Sequence, residues 1–178
     1  MFILTSCLIF AQETVKEPEF VGDGFFVNAN GSTVKLEKEK VKIKTKTGVS
    51  IYLTGYGKVK TKLDVDGCCS EATVKPEGEI KIIVRALNNE IDPLESIQVF
   101  KLTQKKSKRT AEIASYGSFT GESENDLDNL DFTGEKYGES SYLLTIANYE
   151  KNTEYGILVK ASNLPLQATT VISTFAVE

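Results

Sequence analysis

Apolar side chains alternate with polar ones along most of the chain, and this period of two limits the fold to one assembled from β-strands. The clearest runs are residues 40–46, in which Val, Ile or Thr alternates with Lys, and residues 58–65, in which Val, Thr or Leu alternates with Lys or Asp. Such runs predict about 10–12 short strands, and no segment has a convincing helical period. We therefore predict an all-β fold, either an antiparallel β-sandwich or a jelly-roll-like arrangement, in a single domain over residues 12–178.

The same alternation predicts several local features. The apolar set moves from even to odd positions near residues 37–40, which requires a bulge or turn there. Residues 49–53 are predicted as a further strand, and residues 117–139 as one long acidic loop. The anchors of that loop are Leu127, Leu130 and Phe132, and the predicted core includes Ile82, Val84, Val99, Leu144, Ile146, Ile157 and Val159.

Residues 1–11 form an uncharged, mostly apolar run that predicts a secretory signal peptide. The run is too short to span a bilayer as a helix, and Ala11 supplies a small residue before the polar segment that starts at Gln12. Because no Lys or Arg precedes the run, we expect the true translation start to lie upstream. Lipidation of Cys7 is the alternative to cleavage. We expect an exported protein, periplasmic or extracellular, with no transmembrane segment in its mature chain.

The composition excludes several classes of function. The 178 residues include no His, which removes imidazole nucleophile activation, imidazole general bases and His-ligated zinc. The formal net charge of −4 argues against a dedicated nucleic-acid binder. We therefore predict a protein without catalytic activity and without a cofactor. The alternative is a carboxylate-based hydrolase such as a glycosidase, since one acid and one base or nucleophile suffice for that chemistry.

Two adjacent cysteines, Cys68 and Cys69, lie in the body of the chain. In an exported protein they meet an oxidising compartment. Neighbouring cysteines can bridge only through a strained eight-membered ring, so the sequence favours two free thiols in a turn or at a strand end. A vicinal disulfide and an intermolecular bridge are the alternatives.

The acidic segment at residues 121–131 is the best candidate for binding a hard cation. Carboxylate and amide oxygens at alternating positions are the ligands that calcium prefers. The spacing departs from that of an EF-hand, because the glycine at the sixth position is absent, and a solvated acidic loop is the favoured interpretation. The candidate calcium ligands are Glu124, Asp126, Asp128 and Asp131.

Lysines at alternate positions of two predicted strands form the clearest candidate surface. Alternate residues of a strand share one face of a sheet, so each set presents its charges together. Solvated strand faces that prevent edge-to-edge aggregation explain the pattern without a ligand. The functional alternative is docking to an anionic glycan or an acidic protein. The two sets are Lys40, Lys42, Lys44 and Lys46, and Lys58, Lys60 and Lys62, and a basic hairpin tip is predicted at residues 104–109.

Short strings along the body resemble a group of exported proteins of Bacteroidetes-type bacteria for which no activity is known. The strings are residues 34–38 (VKLEK), 137–143 (YGESSYL) and 154–157 (EYGI), together with the signal end Phe10-Ala11-Gln12. The resemblance implies export and β-structure, and it implies no activity. Taken with the lysine pattern, it leads us to expect a binding module or a structural module of the cell envelope.

Overall fold

The computed structural model describes residues 15–54, 56–117, 123–125, 127–160 and 169–178. The chain is about 56% strand and 6% helix, which confirms the predicted all-β class. The strands in these ranges are β1 (Gly24–Val27), β2 (Thr33–Lys35), β3 (Glu37–Thr47), β4 (Lys58–Asp66), β5 (Thr73–Val74), β6 (Ile80–Arg85), β7 (Ile97–Lys105), β8 (Lys108–Gly117), β9 (Ser123–Asn125), β10 (Thr133–Tyr137), β11 (Ser141–Ile146), β12 (Thr153–Val159) and β13 (Thr169–Val177). The helices are α1 (Val49–Thr54) and α2 (Pro93–Ser96).

Six strands close into an antiparallel barrel. Their order is β12-β7-β8-β4-β3-β13, and the barrel closes because β13 pairs with β12 as well as with β3. At the ends of this barrel, β5 adds a short parallel pairing to β13, and β9 pairs with β8. The antiparallel pairing was predicted from the sequence, whereas the closure of a barrel was not.

A second sheet covers one wall of the barrel. Its order is β10-β11-β6-β1-β2, with every pair antiparallel. Its inward residues pack against outward residues of β7, β12 and β13, so the covered parts of these three strands are buried on both faces. The core between the two layers includes Phe26, Ile80, Ile82, Val84, Ile97, Val99, Tyr142, Leu144, Ile146, Tyr155, Ile157 and Phe175.

The interior of the barrel is filled with side chains, as expected for a barrel of so few strands. Phe100 is the largest apolar side chain among them, and its ring lies close to Gly156 on the neighbouring strand. A Cβ at position 156 would lie 2.9 Å from the Phe100 ring, so the glycine makes room for the aromatic side chain. The buried filling consists of Val41, Leu63, Val65, Phe100, Leu102, Ala111, Leu158 and Ile172.

The local predictions have mixed outcomes. The change of parity lies at Leu36, the single residue between β2 and β3, where the chain leaves one sheet for the other. The strand predicted over residues 49–53 is wrong, since these residues belong to helix α1. The loop predicted over residues 117–139 is also wrong in part, because it contains β9 and β10. Of the seven predicted core residues, six are buried and Val159 is partly buried.

The segment before β1 is anchored to the covering sheet by one carboxylate. Glu17 accepts hydrogen bonds from the Ser140 N–H at 3.2 Å and the Ser141 hydroxyl at 2.7 Å, and it pairs with Arg85 at 2.6 Å. Burial alone would raise the pKa of Glu17, but these donors hold it below its usual value. Gly138 has a φ of 57°, and a side chain there would collide with the Glu17 carboxylate.

A buried guanidinium closes one end of the barrel. Arg109 is the second residue of β8; it is 1% exposed and lies inside the barrel. Its Nη1 donates to the Thr174 hydroxyl at 3.0 Å, and its Nη2 donates to the Asp66 carbonyl oxygen at 3.3 Å. Three carboxylates surround the same group: those of Glu37, Glu39 and Glu154 lie 3.4–3.6 Å from its nitrogens. The side chain therefore links β8 to β3, β12 and β13.

We expect Arg109→Met to lower the free energy of unfolding by about 3–5 kcal/mol, because it leaves the buried Glu154 carboxylate without its cation. Urea denaturation of the variant beside the native protein measures the difference. The control is Lys106→Met, which removes an exposed cation from the neighbouring turn and should change stability by less than about 1 kcal/mol. Equal stability of the two variants would contradict the role assigned to Arg109.

Candidate functional site

The two lysine sets meet on the barrel wall that the second sheet leaves open. β3 and β4 are neighbours, and their register places Lys44 opposite Lys62 and Lys46 opposite Lys60. The alternate residues of the same strands fill the barrel interior, so the lysines point outward. Two further lysines, one from β7 and one from β8, join them. The lysine face is defined as Lys40, Lys42, Lys44, Lys46, Lys58, Lys60, Lys62, Lys105 and Lys108.

A groove runs across part of the lysine face. Its volume is about 240 Å³. The residues that line it are Lys44, Lys46, Lys62, Asp64, Lys105, Lys108 and Thr110. Five lysines against one aspartate give this groove the chemistry to accept an anionic group. The sequence showed the basic hairpin between β7 and β8 but did not show that its lysines reach the same groove as the two stripes.

Three carboxylates on β4 and β8 neutralise part of the charge of the lysine face. Glu112 lies 2.6 Å from Lys60 and 3.1 Å from Lys62. Asp66 pairs with Lys42 at 2.6 Å. The third carboxylate, on β4, pairs with two lysines and lies in the groove. Nine lysines against three carboxylates leave the face positive on a chain whose formal net charge is −4.

Asp64 is the buried anion of the lysine face. Its side chain is 5% exposed, and its carboxylate receives Lys108 at 2.6 Å and Lys44 at 2.9 Å. Burial alone would raise its pKa, but the two lysines outweigh that effect and lower the pKa to about 2. Asp64 therefore stays ionised at neutral pH and holds strands β3, β4 and β8 together across the face.

The hydrolase alternative requires two carboxylates that face a cleft. Glu37 and Glu39 are neighbouring carboxylates near the barrel end. Burial and the Glu37 carboxylate raise the pKa of Glu39, whereas hydrogen bonds from Ser70 and Glu71 hold the pKa of Glu37 low against the effect of burial. Both carboxylates are directed at the Arg109 guanidinium. This geometry explains them as partners of a buried cation.

The predicted calcium ligands are only partly described. Asp126 and the side chain of Glu124 lie outside the described residues. Asp128 is exposed and lies 3.5 Å from the Lys101 ammonium, and Asp131 is also exposed. Among the described residues no group of three or more Cys, Asp or Glu side chains is arranged to hold a metal ion. Calcium binding at this loop stays a prediction.

Cys68 and Cys69 form a disulfide in the structure, which is the alternative to the free thiols that the sequence favoured. Both residues are exposed, in the turn that follows β4. Ser70 comes next and is buried, and its N–H donates to the Glu154 carboxylate at 3.0 Å. The cysteine pair therefore lies beside the Arg109 cluster without contributing apolar surface to the core.

A second hollow lies on the covering sheet, beside the turn between β1 and β2. Its volume is about 960 Å³, larger than that of the groove. Its charged residues are Lys75, Glu77, Glu79 and Lys81. Two cations balance two anions there, so this hollow has no preference for a charged ligand of either sign. The groove on the lysine face is the better candidate site because its charge is one-sided.

No protein-family model and no curated protein matches this chain. Neither helix in the described part of the chain is long and apolar enough to cross a lipid bilayer.

We expect Asp64→Asn to lower the free energy of unfolding at neutral pH by about 1–2 kcal/mol, because it removes the anion shared by two half-exposed lysines. The pKa of Asp64 in the folded state lies below the unfolded value of 3.8, so its stabilising effect is complete above about pH 4 and is lost as the pH falls towards about 2. Urea unfolding of both proteins across this range checks the prediction. A difference that persists undiminished at the acid end would contradict it.

We expect replacement of Cys68 and Cys69 by Ser to change the free energy of unfolding by less than about 2 kcal/mol. The bridge closes a loop of minimal length, and both side chains are exposed, so little chain entropy and little core packing are lost. Denaturation of the double variant beside the native protein measures the change. A larger loss would show that the turn needs the bridge to present Ser70 to Glu154.

Proposed function

We propose that the protein is an exported, non-catalytic binding module of the cell envelope that uses its lysine face to hold an anionic partner. The observation that carries the proposal is the groove in which five lysines surround one aspartate. The covering sheet and the barrel wall behind it act, in this proposal, as the two layers of a β-sandwich. These layers keep the lysine-bearing strands in fixed register, so that the charges act together.

The arrangement favours binding over a purely solubilising role. Lysines that only keep a surface in solution gain from being spread apart or interleaved with acids, because like charges directly opposite each other destabilise a sheet. Here Lys44 faces Lys62 and Lys46 faces Lys60. In the described part of the chain, Lys46 and Lys105 form no ion pair, and both line the groove. An anionic group in the groove relieves this repulsion.

The expected partner is an acidic glycan of the cell surface, and an acidic protein is the second outcome of the test. Single exposed lysines contribute little, roughly 0–1 kcal/mol each, so affinity depends on several acting together. Such binding weakens with salt over a Debye length of about 8 Å at physiological ionic strength. Weak, salt-sensitive adhesion is therefore the expected behaviour.

We expect a fourfold variant, Lys44→Gln, Lys46→Gln, Lys62→Gln and Lys105→Gln, to bind a soluble sulfated glycan about tenfold or more weakly than the native protein. The matched control changes four exposed lysines elsewhere to Gln, namely Lys16, Lys81, Lys136 and Lys151, and so has the same net charge. Titration at low and high salt measures both. Equal weakening in the two variants would assign the effect to net charge and overturn the proposal, as would binding that salt leaves unchanged. Polyglutamate in place of the glycan tests the acidic-protein outcome.

A further inference from the structure

An exposed apolar tip stands at the end of the lysine face. It belongs to the connection between β3 and β4, which contains helix α1. Tyr52 is 77% exposed, Leu53 is 81% exposed and Tyr56 is 59% exposed. These three residues are the tip, and they place three large apolar side chains within five positions of the chain. A group of this kind marks a surface that contacts another apolar phase.

The local structure holds these side chains outward. Ile51, in the same helix, packs against the chain at Gly57, where a Cβ would lie only 2.6 Å from its Cγ1 atom. The Gly48 N–H donates to the Lys58 carbonyl oxygen at 3.2 Å. This hydrogen bond closes the base of the connection, where β3 ends and β4 begins, and this base is called the neck. One apolar residue of α1 thus anchors the helix, while Tyr52 and Leu53 remain on its outer side.

Lysines surround the neck directly behind the tip. The last residue pair of β3 and β4 is Thr47 with Val59, and the next pair is Lys46 with Lys60. At about 3.4 Å per residue, the pair of Lys44 and Lys62 lies roughly 7 Å further back. Residues 40–63 contain seven lysines and neither Asp nor Glu. The end of the barrel that bears the tip is therefore apolar at its extremity and cationic behind it.

We propose that the tip inserts into the surface of an anionic lipid bilayer while the lysines at the neck contact the headgroups. Apolar faces of peripheral proteins enter the boundary between headgroups and acyl chains by about 5–10 Å, and tyrosine is favoured at that depth. That depth brings Lys46 and Lys60 to the level of the headgroups, where each lysine near an anionic surface strengthens binding. Along the barrel axis the tip is apolar and the segment behind it is cationic. An anionic bilayer offers the matching layers, with acyl chains inside and negatively charged headgroups outside.

The apolar tip also distinguishes a bilayer from the other anionic partners considered above. An aliphatic side chain such as Leu53 adds little to the binding of a soluble glycan or an acidic protein, whereas it enters the acyl-chain boundary of a bilayer. The backbones of Lys105 and Lys108 lie at the end of β4 away from the tip, since Lys108 pairs with Asp66 and Lys105 pairs with Lys108. This inference rests on the proposed function only for the lysines of β3 and β4, which both the glycan-binding proposal and the bilayer proposal use.

The experiment is co-sedimentation of the whole protein with vesicles of phosphatidylcholine alone and of phosphatidylcholine mixed with phosphatidylglycerol. The test variant is Tyr52→Ser, Leu53→Ser and Tyr56→Ser. The matched control is Leu87→Ser, Ile91→Ser and Leu94→Ser, which removes three other exposed apolar side chains. We expect the native protein and the control to bind the anionic vesicles, and the tip variant to bind them at least about tenfold more weakly. Thermal unfolding checks that each variant is folded.

A second measurement reports insertion itself. The chain contains no Trp, so Leu53→Trp places its one tryptophan at the tip, where it can be excited selectively over the seven tyrosines. We expect its emission to shift to the blue with anionic vesicles and to be quenched by brominated lipid. An unshifted spectrum, or a tip variant that binds as the native protein does, overturns the insertion. Binding of the soluble sulfated glycan but of no vesicle overturns this inference and leaves the proposed function standing, whereas binding of neither overturns both.

Discussion

The burial of one guanidinium inside the barrel is the interaction on which the rest of the structure depends. Arg109 joins the start of β8 to β3, β12 and β13 and to the last residue of β4. Removing charges from water is costly, so the carboxylates around it must be held in place by further hydrogen bonds, as Ser70 holds Glu37 and Glu154. Strand alternation then has a direct consequence: with Arg109 inside, Lys108 must point outward, where it joins the groove.

The two walls of the barrel differ in what covers their outer faces. The wall of β7, β12 and β13 is covered by the second sheet, and Tyr155 and Ile157 lie in the layer between them while Leu158 fills the barrel. Where the second sheet covers them, these strands are buried on both faces, and only their uncovered ends, such as Lys105 of β7, reach the surface. The wall of β3, β4 and β8 is apolar on the inside only, so its outer face is free to carry charge. The candidate site therefore lies on the wall opposite the covering sheet.

Much of the fold follows from local alternation, and the rest depends on pairings between distant residues. The period of two identified the strands and their inward side chains, such as Ile82 and Leu144, because it reports burial directly. It did not distinguish α1 from a strand, since a single short turn contains too few residues for a helical period. Barrel closure rests on β13 lying between β12 and β3. The sequence predicted that the lysines of each set lie on one face of their strand. It did not predict that Lys44 lies opposite Lys62, because that depends on the register between β3 and β4.

The open wall carries two features that weaken the isolated protein. Like charges directly opposite each other on neighbouring strands are destabilising, and an exposed apolar tip gains nothing from water. Asp64 and Glu112 compensate part of the repulsion by pairing with four of the lysines. A partner that binds only the folded state stabilises it by mass action. In the two proposals above, an anionic surface with an apolar interior relieves both features together, so binding of such a partner and folding of this wall would be thermodynamically linked.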